Sequence, residues 1–82
     1  MMKIFYFGRL SDRVGMRQET LALPTNIETL FALKSWLNDK HDLGGALEET
    51  SIKSMINQNL VHGDAPLTGC IEIGFLPPVG GG

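Results

Sequence analysis

Hydrophobic and polar positions along this chain of 82 residues follow two periods, which predict strands and one main helix. The segment from Met2 to Phe7 is apolar and aromatic almost throughout, as is typical of a central strand. Residues 9–14 have room for one or two helical turns before Gly15. The alternating segment 18–23 predicts a second strand, which forms a hairpin with the first.

The clearest helical pattern follows Pro24. Thr25 and Glu28 have the spacing of a capping box, in which each side chain satisfies a free backbone N–H of the other residue. Apolar side chains then recur at helical spacing, which predicts an amphipathic helix of about three to four turns. The positions expected to face the core are Ile27, Leu30, Phe31, Leu33 and Leu37.

The second half of the chain predicts further strands around glycine-rich and polar turns. Gly44-Gly45 ends the helical pattern, and residues 46–49 form a short helical turn. Strands are expected at 52–58, briefly at Leu60-Val61, and at 70–76. The order is strand, strand, helix, then strands again, so the fold class is α+β: a mixed sheet with one helix across one face.

Side chains alternate along a strand, and this alternation assigns residues to the two faces of the sheet. If the last strand turns Ile71, Ile73 and Phe75 toward the helix, then Leu76 faces away. The same rule places Phe5 and Phe7 on the face that the helix leaves uncovered. Exposed apolar side chains at this position indicate a partner surface, unless a loop covers them.

Composition and charge reduce the number of functional classes that fit this chain. At 43% hydrophobic and 20% charged residues, the chain is one small globular domain with little spare core for a deep pocket. The formal charge of −2 and the lack of a basic run argue against nucleic-acid binding. The single cysteine fits a reducing cytosol, and no segment reads as a signal peptide or membrane span. We expect a cytoplasmic protein that works through a surface or a terminus.

The sequence offers little for catalysis by the domain itself. It has no phosphate-binding loop and no pair of residues at metal-ligand spacing. His41 and His62 stand alone in polar surroundings, so we expect both to be solvated. Cys70 has no activating base near it in sequence, which favours a buried or edge cysteine over a nucleophile. We therefore expect no bound metal and no bound cofactor.

The chain ends in GFLPPVGGG, which divides it into a domain at 1–76 and a tail at 77–82. Pro77 and Pro78 favour an extended path away from the strand. The segment from Val79 to Gly82 then spans at most about 13–14 Å, with a tip slim enough for a narrow channel. Such a tail delivers its terminal carboxylate, which becomes an acyl donor once a partner adenylates it. The alternative is an ordinary frayed terminus.

With these residues in view, the whole chain resembles the MoaD-type small subunits of molybdopterin synthase, which are sulfur carriers with the ubiquitin-like β-grasp fold. The matching segments are MMKIFYFGRLSDRVG, LPTNIETLFALKSWL, MINQNLV and PLTGCIEIGFLPPVGGG. The ending Phe-Leu-Pro-Pro-Val-x-Gly-Gly is the specific part, because other ubiquitin-like proteins share a bare Gly-Gly.

The resemblance implies that Gly82 is adenylated by an E1-like enzyme that uses ATP, and is then thiocarboxylated with sulfur from a donor system. Gly81 and Gly82 would enter the active site of the large catalytic subunit in a heterotetramer. There the tail would give sulfur to cyclic pyranopterin monophosphate on the way to molybdopterin. ATP would be bound by the activating partner, and no cofactor by this chain.

The resemblance also implies which residues meet the partners. A docking patch would consist of Phe7, Leu60 and Leu76, and the tail would contribute Pro77, Pro78, Val79 and Gly80. The chain departs from the family at Gly80, where Thr or Ser is usual, so any hydroxyl contact there is lost. It departs again at 69–71, where Gly-Cys-Ile replaces an Asp-Gly-Asp turn.

Two other functions stay open at this point. The same tail chemistry would serve a carrier for thiamine or tRNA thiolation, or a modifier attached to lysines. A β-grasp interaction module with an inert terminus would share the fold but none of the chemistry.

Overall fold

A computed structural model describes residues 1–78, so the predictions for Val79, Gly80, Gly81 and Gly82 lie outside the described residues. The observed order is strand, helix, strand, helix, a short 3-10 helix and three further strands. Their bounds are β1 Met2–Tyr6, α1 Arg9–Val14, β2 Gln18–Leu21, α2 Leu30–His41, the 3-10 helix Ala46–Glu48, β3 Lys53–Ile56, β4 Asn59–Val61 and β5 Glu72–Leu76.

Residues 1–78 build one mixed sheet of five strands, in the order β2-β1-β5-β3-β4. The first and last strands, β1 and β5, run parallel and lie side by side near the middle of the sheet. The other neighbouring pairs are antiparallel. The tail therefore leaves from a central strand, next to the end of β1.

The core lies between α2 and one face of the sheet. Leu30, Leu33 and Leu37 of α2 are fully buried against Ile73 and Phe75 of β5. Burial of each such side chain contributes roughly 1.5–3 kcal/mol to the free energy of folding. The predicted α+β arrangement, with the main helix across one face, is confirmed.

The predicted start of the main helix is wrong. The capping box at Thr25 and Glu28 does not begin α2; the helix starts at Leu30, and the Thr29 hydroxyl accepts a hydrogen bond of 3.2 Å from the Ala32 N–H. The reason is tertiary. The Leu30 N–H donates to the carbonyl of Ala65 at 2.8 Å, so the loop before β5 fixes where the chain becomes helical.

Two residues expected in the core are exposed. Phe31 follows the buried Leu30 by one position, so it is turned away from the sheet, and its side chain is 51% exposed. Ile71 is 68% exposed, because β5 begins only at Glu72. The Ile71 N–H instead donates to the Asn57 side chain at 2.9 Å, outside the alternating pattern of the strand.

The expectation that His41 is a solvated histidine is also wrong. Its Nε2 lies 2.6 Å from an Oε of Glu19, and the two side chains are only 11% and 12% exposed. The Tyr6 hydroxyl donates to the same carboxylate at 2.6 Å. This network joins β1, β2 and the end of α2, which are far apart in sequence.

We expect the Tyr6 hydroxyl to make the fold sensitive to alkaline pH. Burial, followed by the hydrogen bond to Glu19 and the charge of that carboxylate, raises the pKa of Tyr6 above its ordinary value. Above a pH of about 10 the unfolded chain loses this proton while the folded chain keeps it, so stability falls as pH rises. Tyr6→Phe should remove this part of the decline, at a cost of about 1–2 kcal/mol at neutral pH.

The measurement is direct because Tyr6 is the only tyrosine in the sequence. Ultraviolet absorbance of tyrosinate and circular dichroism should change together as the pH is raised. Ionisation of Tyr6 near its ordinary pKa in a chain that is still folded would contradict the expectation.

Candidate docking face and tail exit

The sheet face opposite α2 carries an apolar row, and we call this side the open face. Strand register places Phe5 beside Gly74, Gly74 beside Met55, and Met55 beside Leu60. Paired residues in a sheet point to the same side, so these residues form a line across β1, β5, β3 and β4. Leu60, at the end of the line, is 60% exposed.

Phe7 continues the apolar surface toward the tail. Its ring stacks beside that of Phe5, with centroids 6.3 Å apart, and the side chain is 42% exposed. A Cβ added to Gly74 would lie 3.1 Å from atoms of both Phe7 and Met55. Gly74 therefore lets these two side chains close over the central strand, which a larger residue would force apart.

The predicted docking residues lie on one face. Phe7 and Leu60 are exposed, so no loop among the described residues covers them, and Leu76 is half-buried beside its register partner Lys53. Met55 and Gly74 connect the patch across the sheet, and neither is among the docking residues predicted from the sequence. A glycine inside a strand signals close approach of other groups, and that signal was available for Gly74.

Pro77, the first residue of the tail, packs against the domain. A Cβ on Gly8 would lie 3.0 Å from Cγ of Pro77, so the proline packs directly on the glycine. Gly8 also has φ 56° and ψ −133°, a conformation that favours glycine. Pro77 is half-buried and Pro78 exposed. The exit thus lies at the end of β5 that carries Leu76, next to Phe7.

Residues 1–78 show neither a metal-ligand cluster nor a thiol with a lowered pKa. Within residues 1–78 no group of three or more histidine, cysteine, aspartate or glutamate side chains could hold a metal ion. Cys70 is half-buried, with Sγ 3.6 Å from the Met2 sulfur. Burial raises the pKa of this thiol, which lowers its thiolate fraction and its reactivity.

A groove of about 490 Å³ opens elsewhere, between α2 and the β3–β4 edge. Phe31, Lys34 and Val61 contribute to its walls, on the helix side of the sheet. The chemistry predicted for this chain lies at the tail, so the candidate site consists of the open face and the tail exit. Within residues 1–78, no helix combines the length and apolar composition needed to cross a membrane.

Solved structures share this fold. The crystal structure of SAMP1 from Haloferax volcanii superposes with a TM-score of 0.72 at 20% identity, covering 99% of this chain and 98% of that one. The solution structure of small archaeal modifier protein 1 from Methanosarcina acetivorans gives 0.66 at 23% identity, covering 99% and 95%. The molecule is therefore a ubiquitin-like β-grasp domain with an open apolar sheet face.

Sequence comparison gives the family. The ThiS family model matches residues 4–82. The molybdopterin synthase sulfur carrier subunit of Escherichia coli (strain K12) is 34% identical over 83 residues, covering 100% of both chains. The chain belongs to the ThiS family and is a ubiquitin-like sulfur carrier of the MoaD type.

Proposed function

We propose that this chain is the sulfur-carrier subunit of a molybdopterin synthase. The observation that carries the proposal is the 34% identity to the Escherichia coli subunit of that name, which extends over the whole of both chains. The chain then supplies sulfur, and the catalytic groups belong to its partners.

The working group in this proposal is the carboxylate of Gly82. An E1-like enzyme joins it to AMP from ATP and releases pyrophosphate. A sulfur donor system then displaces AMP and leaves a thiocarboxylate. On the large catalytic subunit, Gly81 and Gly82 occupy the active site, and the sulfur passes to cyclic pyranopterin monophosphate. Two such transfers build the dithiolene of molybdopterin, and each returns a carboxylate to be charged again.

The described residues support different roles for the body, which docks on the partner, and for the tail, which reaches its active site. Phe7, Leu60 and Leu76 offer an apolar patch that anchors the body on the large subunit. Pro77 packs on Gly8 at the same end of the sheet, where the tail begins. The four residues after Pro78 reach at most about 13–14 Å. That reach is enough for a buried active site only if the body docks close to its entrance.

Anchoring matters because holding the tail in one conformation inside a partner costs free energy. Ordering each residue of the tail takes roughly 1–2 kcal/mol of conformational entropy. Backbone hydrogen bonds to Gly80 and its neighbours offset part of this cost, and the docking patch supplies the rest. We propose that two copies of this chain and a dimer of the large subunit form a heterotetramer. The chain binds no cofactor itself, and the activating partner binds the ATP.

We place the reaction in the cytoplasm, where the half-buried thiol of Cys70 stays reduced.

Intact-mass measurement tests the proposal. The chain is incubated with the E1-like enzyme, ATP and a sulfur donor, and the C-terminal peptide is then analysed. We expect a mass gain equal to the replacement of one oxygen by one sulfur, dependent on ATP. When the large subunit is added, the thiocarboxylated chain should support conversion of cyclic pyranopterin monophosphate to molybdopterin.

Other outcomes separate the remaining functions. An unchanged mass would leave an interaction module with an inert terminus. A thiocarboxylated chain that does not transfer sulfur on the large subunit would indicate a different sulfur acceptor. A chain found in lysine-linked conjugates would indicate a protein modifier.

A further inference from the structure

A second surface adjoins the tail exit and is not used by the docking patch. It is a groove of about 370 Å³ between α1, the segment after the 3-10 helix and the root of the tail. The residues in its walls that matter here are Arg9, Arg13, Glu49, Ser51, Pro77 and Pro78. We call it the tail-root groove.

The tail-root groove carries a local excess of positive charge on an acidic chain. Arg9 and Arg13 are four residues apart on α1, so their side chains lie on one side of the helix, and both are exposed. Glu49 is the acidic residue in the walls, which leaves the groove net positive, whereas the whole chain has a formal charge of −2. Lys53, the register partner of Leu76, adds a cation on the open face.

The two arginines differ in how they are held. A terminal nitrogen of Arg13 donates to the carbonyl of Leu43 at 2.8 Å, which fixes its guanidinium against the body of the domain. Arg9 forms no ion pair with a carboxylate among residues 1–78. Its planar guanidinium therefore keeps its donors for a ligand, and carboxylates match that geometry with two parallel hydrogen bonds.

The position of Arg9 relative to the tail is set by the fold. Arg9 directly follows Gly8, on which Pro77 is packed, and the buried Leu10 anchors the helix behind it. A protein that grips the tail just beyond Pro78 must bring its own surface next to Arg9. The groove is also continuous through Pro77 with the surface that the proposed function assigns to docking.

We propose that the tail-root groove is an electrostatic docking site for aspartate or glutamate side chains of the large synthase subunit, which receives the tail, with Arg9 as its main contact. This inference rests on the proposed function. Because the chain is acidic overall, a partner with acidic side chains around its channel is repelled in most orientations and attracted at the tail root. The groove therefore selects the orientation in which the tail enters, and acts mainly on the association rate.

The test compares two charge reversals, Arg9→Glu and Arg17→Glu. Each changes the formal charge of the chain from −2 to −4, since one positive charge is replaced by one negative charge. Arg17 is also exposed but does not line the groove. Arg9 is the first residue of α1, where a glutamate is favourable to the helix, so the fold should be retained.

Association with the large synthase subunit is followed by stopped-flow fluorescence at low and high salt. At low salt we expect Arg9→Glu to slow association about tenfold, and Arg17→Glu to change it less than about twofold. The gap should close at high salt, where charges are screened over a few ångströms. Arg9→Lys should retain most of the rate, because it keeps the charge.

Equal effects of the two reversals, or an effect of Arg9→Glu that does not depend on salt, would overturn the inference. If the wild-type chain binds the large subunit normally while Arg9→Glu matches it, this inference fails and the proposed function stands. If the wild-type chain does not bind at all, both fail.

Discussion

Deletion of Gly82 should abolish sulfur transfer and leave the fold intact. In the proposed reaction the carboxylate of the last residue carries the adenylate and then the sulfur, and its distance from Pro78 is fixed by four residues. Loss of one residue shortens the reach by about 3.3–3.6 Å. Misplacement by as little as about 1 Å costs an active site on the order of a hundredfold in rate. Molybdopterin formation with the large subunit measures the loss.

Deletion of Met1 is the matched control for this experiment. It also removes one terminal residue, and Met1 is 85% exposed, so the core does not depend on it. The melting temperature should stay the same for both deletions, while only the loss of Gly82 stops transfer. Full synthase activity without Gly82 would refute the assignment of the terminal carboxylate.

Local patterns in the sequence were sufficient for most of the architecture. Alternation along β1 placed Phe7 on the open face, because side-chain direction in a strand depends only on position. Gly15 ends α1 as predicted, in a left-handed conformation with its N–H bonded to Ser11. Leu33 and Leu37 follow the helical period into the core. Each of these features is determined by residues close to it in the chain.

Two of the features that were predicted wrongly depend on contacts between distant segments. Helix α2 starts later than predicted because the Leu30 N–H bonds to the carbonyl of Ala65, a residue 35 positions further along the chain. His41 is removed from solvent by Glu19 of β2, whose position next to the end of α2 is a result of the whole topology. A single sequence shows which residues are polar, but not which polar residues meet.

For the candidate site, the sequence predicted individual residues but not the contacts that connect them. The candidate residues Phe7 and Leu60 come from segments that the sheet brings to one face, but the register that links them through Gly74 and Met55 is non-local. The groove beside Arg9 and Arg13 also forms only when α1 packs next to the tail root. The prediction for the tail needed no knowledge of the fold, because it was made from the composition of residues 77–82.

Replacing Phe7 by alanine should weaken binding to the large subunit far more than it lowers stability. An aromatic side chain at the centre of an interface contributes about 2 kcal/mol or more, which corresponds to roughly a thirtyfold increase in Kd. Phe7 is 42% exposed in the free chain, so its truncation removes less of the domain core than of the docking patch. Titration calorimetry against the large subunit, together with thermal unfolding of the free chain, separates the two effects.

Phe31→Ala provides the control, because it removes the same side chain from the other side of the molecule. Phe31 is 51% exposed on α2, close to the exposure of Phe7, and it lies outside the open face. We expect wild-type affinity from this variant, whereas Leu60→Ala should weaken binding in the same direction as Phe7→Ala. If Phe31→Ala weakened binding as much as Phe7→Ala, the partner would contact the helix side instead. A drop in melting temperature large enough to account for the binding loss would mean that Phe7 acts as part of the core.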